Sequence, residues 1–216
     1  MREIILISFL GPDQPNQFTR LMQVLSAHSL QILDVGQAVI HNQLTLGIVV
    51  ASEDQTATAL AMKEILILAH EIGLTVRFKP ILTTDYDQWV SEGGRTRYIV
   101  TALAPELKAS HLQAVTQIVS SQGFNIETVT RLSGRPTLEN EAIEPKRACV
   151  EFGLKGQMLD AAAMRAACLK LSSELNVDVA VQEDNAYRRN RRLVCFDMDS
   201  TLIEQEVIDE LAKEAG

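Results

Sequence analysis

A chain of 216 residues with 46% hydrophobic and 22% charged side chains, 11 Gly and 6 Pro has the composition of an ordered globular protein, with room for one large domain or two small ones. Its formal net charge of -8 argues against a nucleic-acid or anionic-membrane partner, which would require a basic face. Three widely spaced cysteines, Cys149, Cys168 and Cys195, form no C-x-x-C pair or disulfide framework, and the N-terminal apolar run is too short for a membrane span and lacks a signal-peptide cleavage pattern, so a reducing, cytoplasmic setting is expected.

Residues 3–10, EIILISFL, read as an apolar strand. Phe18, Leu21, Met22 and Leu25 then recur at helical spacing and predict a helix over 17–28. Residues 30–40 and 44–51 are rich in β-branched side chains and are separated by His41, Asn42 and Gln43, which predicts a hairpin. A helix over 54–72 carries Ala61, Ile65, Leu68 and Ile72 on one face, Gly73 stops it, and 74–81 is a last strand. The order is βαββαβ. Residues 84–95, with Asp85, Asp87, Gly93 and Gly94, read as a linker in which Trp89 is either a hydrophobic tether or a ligand contact.

The pattern then starts again. Matching Ile5 to Ile99 gives an offset of 99 − 5 = 94, which also pairs Leu21 with Val115, Leu25 with Val119 and Ile32 with Ile126. Later in the unit the offset is 150 − 46 = 104, the ten extra residues falling in the Gly-, Pro- and charge-rich stretch SGRPTLENEAIEPKR. The second unit predicts strands at 97–104, 124–132, 147–154 and 177–182 and helices at 108–122 and 160–175. Each βαββαβ unit should fold as a ferredoxin-like sandwich, a four-stranded antiparallel sheet with both helices on one face. The fold class is α+β, with free sheet faces or edges for association. His28, His41, His70 and His111 share no metal-ligand spacing.

A second linker, 185–192, holds Arg188, Arg189, Arg191 and Arg192, either a solvated run or a docking patch. After it, Leu193–Phe196 reads as a buried strand that ends on Asp197, with Asp199, Ser200 and Thr201 following, and residues 206–215 carry Val207, Ile208, Leu211 and Ala212 at helical spacing. A carboxylate at the end of a buried strand can act as a nucleophile while its neighbour moves a proton. The alternative is a pair of helix-capping aspartates, and for Glu206 an ordinary first-turn glutamate.

These patterns resemble known families. The paired units of residues 1–83 and 96–184 are similar to tandem ACT domains, regulatory modules that bind amino acids. In the first, Gly11-Pro12-Asp13-Gln14-Pro15-Asn16 resembles the family's G-x-D-x-P-G effector loop, with Asn16 in place of the last glycine. The resemblance implies an effector site at Gly11, Asp13, Pro15 and Asn16. Independently of it, the start of the following helix could hold a carboxylate and Asp13 an ammonium, or Asp13 could be a cap and Pro15 a first-turn proline. The corresponding loop of the second unit, Ala104 to Lys108, has neither glycine nor aspartate.

The string FDMDSTLIEQEVIDELAKEAG of the segment 193–216 resembles the opening of the phosphoserine phosphatase family, within the haloacid dehalogenase superfamily. That resemblance implies hydrolysis of O-phosphoserine to serine and phosphate, with Asp197 as nucleophile through an aspartyl phosphate and Asp199 as general acid and base. It implies substrate contacts from Glu206, Ser200 and Thr201, and Mg²⁺ held by Asp197 and Asp199. It also implies L-serine as the sensed effector and a homodimer. Because 216 − 201 = 15 residues follow Thr201, further catalytic motifs have no place after it, and this chain by itself is expected to be inactive with a frayed tail. The alternative is a freestanding amino-acid-binding or dimerising regulator without catalysis.

Overall fold

A computed structural model describes residues 2–94, 96–135, 147–189, 195–199 and 202–215. The chain divides into two compact units, Met1–Gly94 and Arg95–Gly216.

The first unit contains β1 (Glu3–Pro12), α1 (Gln17–Ala27), β2 (Gln31–Ile40), β3 (Gln43–Ser52), α2 (Gln55–Glu71), β4 (Thr75–Ile81) and α3 (Thr83–Glu92). Its sheet has the order β2-β3-β1-β4, antiparallel throughout. Alternation along the strands sends Ile5, Ile7 and Phe9 of β1 and Leu44, Leu46, Ile48 and Val50 of β3 to one face, where they meet Leu21 and Leu25 of α1 and Ala61, Ile65 and Leu68 of α2. Each large side chain buried there is worth about 1.5–3 kcal/mol relative to water. The expected hairpin turn is present: His41 and Asn42 have φ of 45° and 61°, and Ile40 pairs with Gln43. Two consecutive positive φ values make a two-residue turn whose twist matches that of the strands.

Two expectations need correction here. Phe18 does not complete the buried face of α1: it is 41% exposed, and the buried residue of that first turn is Gln17, 4% exposed. The stretch read as a linker carries α3, in which the Tyr86 and Trp89 rings lie 5.8 Å apart. Polar composition and the Gly93-Gly94 pair hid a ten-residue helix that ends at Gly93.

The second unit contains β5 (Arg97–Ala104), α4 (Ala109–Ser121), β6 (Asn125–Arg131), β7 (Ala148–Lys155), α5 (Ala161–Leu175), β8 (Asp178–Glu183), the short α6 (Ala186–Arg189) and α7 (Val207–Ala215). Its sheet order, β6-β7-β5-β8, is the first unit's order repeated. Val100, Ala102, Val150, Phe152 and Leu154 form the helix-facing core with Val115, Val119, Met164 and Cys168. The repeat reaches fine detail. The edge strands β2 and β6 are both irregular, between Ile32 and Asp34 and between Ile126 and Thr128, and 126 − 32 and 128 − 34 are both 94. Asp54 and Asp160 cap α2 and α5 alike, each side chain accepting two backbone N–H bonds of 2.8 and 3.0 Å.

Both units are thus ferredoxin-like sandwiches. Among the described residues no helix is long and apolar enough to cross a membrane.

Candidate functional site

The loop from Gly11 to Asn16 joins the end of β1 to α1. Asn16 stands at the N-cap of α1 with φ 67° and ψ 0°, a left-handed backbone that asparagine tolerates better than most residues. Its side chain makes no cap bond, and Asp13 does not cap the helix either: the Asp13 N–H donates to the Asn42 carbonyl at 2.8 Å. The capping alternative for Asp13 is therefore not what the structure has, and its carboxylate lies on an exposed stretch of loop. Gly11 is where the chain passes closest to its neighbours, since a Cβ there would stand 2.7 Å from the Gly73 carbonyl and 2.8 Å from Leu74 Cδ2. A larger residue would push the loop off the start of β4.

Gln17 holds this arrangement together. Its Oε1 accepts the Gln14 N–H at 3.0 Å, and its Nε2 donates to the Pro12 carbonyl at 3.1 Å and the Ile72 carbonyl at 3.2 Å. One buried amide thus staples the loop to itself and to the end of α2. Sequence reasoning passed over Gln17, because its most distant partner lies 55 residues away. The repeat gives the one available signal: position 17 + 94 = 111 is His111, also buried, whose Nδ1 accepts the Lys108 N–H at 3.4 Å just as Gln17 accepts that of Gln14. His111 is thus a buried capping residue of α4, its ring accepting the backbone N–H of the N-cap residue Lys108.

The second candidate locus lies at residues 195–206. Leu193, Val194, Ser200 and Thr201 fall outside the described residues. Cys195 to Met198 form no strand and are exposed, Phe196 at 66%. The described half of the expected strand, Cys195 and Phe196, is therefore not buried in a sheet, since an apolar run becomes a strand only where a neighbouring strand pairs with it. Asp197 Oδ1 accepts the Met198 N–H at 3.0 Å, and Asp199 Oδ1 accepts the Val207 N–H at 3.3 Å, across a turn in which the Leu202 and Ile203 N–H groups bond to the Met198 carbonyl. Asp199 thereby caps α7, so the capping reading is realised for this residue. Glu206 is exposed immediately before α7, its carbonyl accepting from Asp209 and Glu210. The helix buries none of its residues.

Asp197 and Asp199 offer oxygen donors suited to Mg²⁺, but among the described residues no group of three His, Cys, Asp or Glu side chains converges. Among the described residues, these two carboxylates do not by themselves complete a site for the ion. Of the cysteines, Cys168 is buried and desolvation pushes its thiol pKa up, whereas Cys195 is exposed beside Asp197.

Comparison with known proteins gives these loci a context. The ACT domain family model matches residues 3–79. Over 98% of its length the chain is 31% identical to a phosphoserine phosphatase of Mycobacterium tuberculosis, and over the same share 29% identical to a phosphoserine phosphatase of Streptomyces coelicolor. Each alignment covers 48% of the relative, so the chain spans about half the length of the curated relatives it matches. The crystal structure of an unknown protein from Galdieria sulphuraria superposes with a TM-score of 0.67 at 14% identity, covering 86% of this chain and 100% of that one, which is a likeness of fold alone. A matched ACT domain, its structural repeat and similarity to two phosphatases along nearly every residue lead to one statement: the chain is an ACT-domain-containing, phosphoserine phosphatase-like protein.

Proposed function

We propose that these residues form the amino-acid-sensing part and the first catalytic loop of a magnesium-dependent phosphatase that hydrolyses O-phosphoserine to serine and phosphate. The observation that carries this reading is the Asp197-x-Asp199-x-Thr201 motif, lying in a chain similar over 98% of its length to two proteins named phosphoserine phosphatase.

In this reading Asp197 attacks phosphorus as the seryl P–O bond breaks, and the departing oxygen takes a proton from Asp199. Asp199 then removes a proton from water, whose oxygen attacks the aspartyl phosphate, releasing phosphate and restoring Asp197. Glu206 holds the substrate ammonium, and Ser200 and Thr201 contact the phosphoryl group.

For sensing, Asp13 pairs with the ammonium of an amino acid, L-serine in this reading, while the start of α1 receives its carboxylate. Gly11, Pro15 and Asn16 shape the loop. The Gln17 staple supports this assignment, because a preformed loop loses less entropy on binding. Homodimerisation is supported by β2, a ten-residue edge strand exposed along most of its length, with Ile32, Val35, Val39 and Ile40 at its surface. The setting is cytoplasmic.

Two experiments test the two halves. The full-length gene product should release phosphate from O-phosphoserine in magnesium buffer and lose that activity with Asp197→Asn; full activity in the variant would overturn the catalytic assignment. Calorimetric titration of the chain with L-serine should give saturable heat that Asp13→Ala abolishes. No heat from the unaltered chain would overturn the sensing assignment.

A further inference from the structure

The run Arg188, Arg189, Arg191 and Arg192 reads in sequence as solvated linker or docking patch, yet Arg188 is neither. The chain continues the sheet one residue past β8, the Asp184 N–H donating to the Arg97 carbonyl at 2.8 Å. Asn185 then turns it, its Oδ1 accepting the Tyr187 and Arg188 N–H groups at 3.1 and 3.2 Å. The turn brings Arg188 back onto the sheet, where Nη2 donates to Glu151 Oε2 and Nη1 lies 3.8 Å from Asp184 Oδ1. The side chains of Arg188, Glu151 and Asp184 are only 22%, 23% and 9% exposed, so this pairing is less screened than a surface ion pair.

Glu151 sits in the middle of β7, paired with Thr101 on one side and Thr130 on the other. Its neighbours Val150 and Phe152 face the helices, so by alternation Glu151 stands on the face the helices leave open. The internal repeat shows that the sandwich itself does not require an acid there. The matching residue of the first unit is at 151 − 104 = 47, which is Gly47. The acid belongs to the unit that precedes the Asp197 motif, and Asp197 follows Arg188 by 197 − 188 = 9 positions in the chain.

We propose that Arg188 is an electrostatic latch that clamps the chain leaving the second unit onto Glu151 and Asp184, fixing where the Asp197 segment begins. Arg188 is a positioning residue: it acts through the direction of the chain and touches no reacting group. The inference does not depend on the phosphatase reading, since the latch is a property of this chain alone.

Amide hydrogen exchange on the full chain tests it. Glu151→Gln and Arg188→Gln should each speed exchange of the backbone amides at 184–188 by about three- to tenfold, as loss of one partly buried charge-assisted bond would. Amides within β5 and β7 should be unaffected. The double variant should exchange no faster than Arg188→Gln alone, because that variant already removes the contact to Glu151. Unchanged exchange at 184–188, additive acceleration in the double variant, or equal acceleration throughout the sheet would each overturn the latch.

Discussion

Replacing Gln17 with alanine removes three hydrogen bonds at once and strands the Ile72 carbonyl in a buried position. A net bond is worth about 1 kcal/mol, a buried polar group left without a partner costs about 1–3 kcal/mol, and the bonds to Pro12 and Gln14 are only partly buried, so the sum is about 2–3 kcal/mol. With a urea slope of about 1 kcal/mol per molar for a unit of this size, the midpoint should fall by about 2–3 M. Urea unfolding followed by Trp89 fluorescence reads the unit that contains the loop, because Trp89 lies in its α3. Phe18→Ala is the control: Phe18 is adjacent and larger but 41% exposed, and its loss should cost well under 1 kcal/mol. Gln17→Glu sharpens the test. It keeps an acceptor for the Gln14 N–H but turns a carboxylate toward two carbonyls, which favours the protonated form in the folded state. Its stability should be lowest at neutral pH and recover as the pH falls far enough to restore a donor. If Gln17→Ala shifts the midpoint no more than Phe18→Ala does, the staple is not what holds the loop.

Other substitutions probe single features. Asn16→Gly should leave stability within a few tenths of a kcal/mol of the parent, whereas Asn16→Ala should cost about 1 kcal/mol through its left-handed backbone, both read by urea unfolding. Asp54→Ala and Asp160→Ala each remove a cap making two N–H bonds and should each lower the melting free energy of their own unit by about 1 kcal/mol. Alkylation followed by peptide mass mapping should modify Cys195 first and Cys168 last. Because burial raises the Cys168 pKa, its thiolate is scarcer than that of an ordinary thiol at any given pH, and its labelling rate should keep climbing as the pH rises past the usual thiol range.

The sandwich was legible because its signals are local and repeated. Period-2 runs such as 3–10, period-3.6 faces such as Ala61, Ile65 and Leu68, and the His41-Asn42 turn each specify their own conformation, and the offset of 94 supplied the same order twice. What stayed hidden depends on partners far along the chain. The value of Gln17 lies in the Ile72 carbonyl, that of Arg188 in Glu151, and neither pairing leaves a mark in a window of sequence. Cys195 and Phe196, the described end of the expected Leu193–Phe196 strand, lie in no strand for the complementary reason. Its residue types say that it can pair, but only a neighbouring strand makes it do so. The site residues divide in the same way: Asn16 is found in the left-handed backbone that its place in the loop motif demands, while Asp199 reaches Val207, eight residues on, a contact the motif alone does not reveal.

The assignment of Asp197 as nucleophile is the claim on which the functional account turns. Incubating the full-length protein with O-phosphoserine in magnesium buffer, quenching in acid and mapping phosphate by peptide mass tests it without intermediaries. The account predicts a phosphorylated peptide carrying the modification on Asp197, absent from the Asp197→Asn variant. Turnover of O-phosphoserine with no phosphate on Asp197, or with phosphate on another residue, would contradict it.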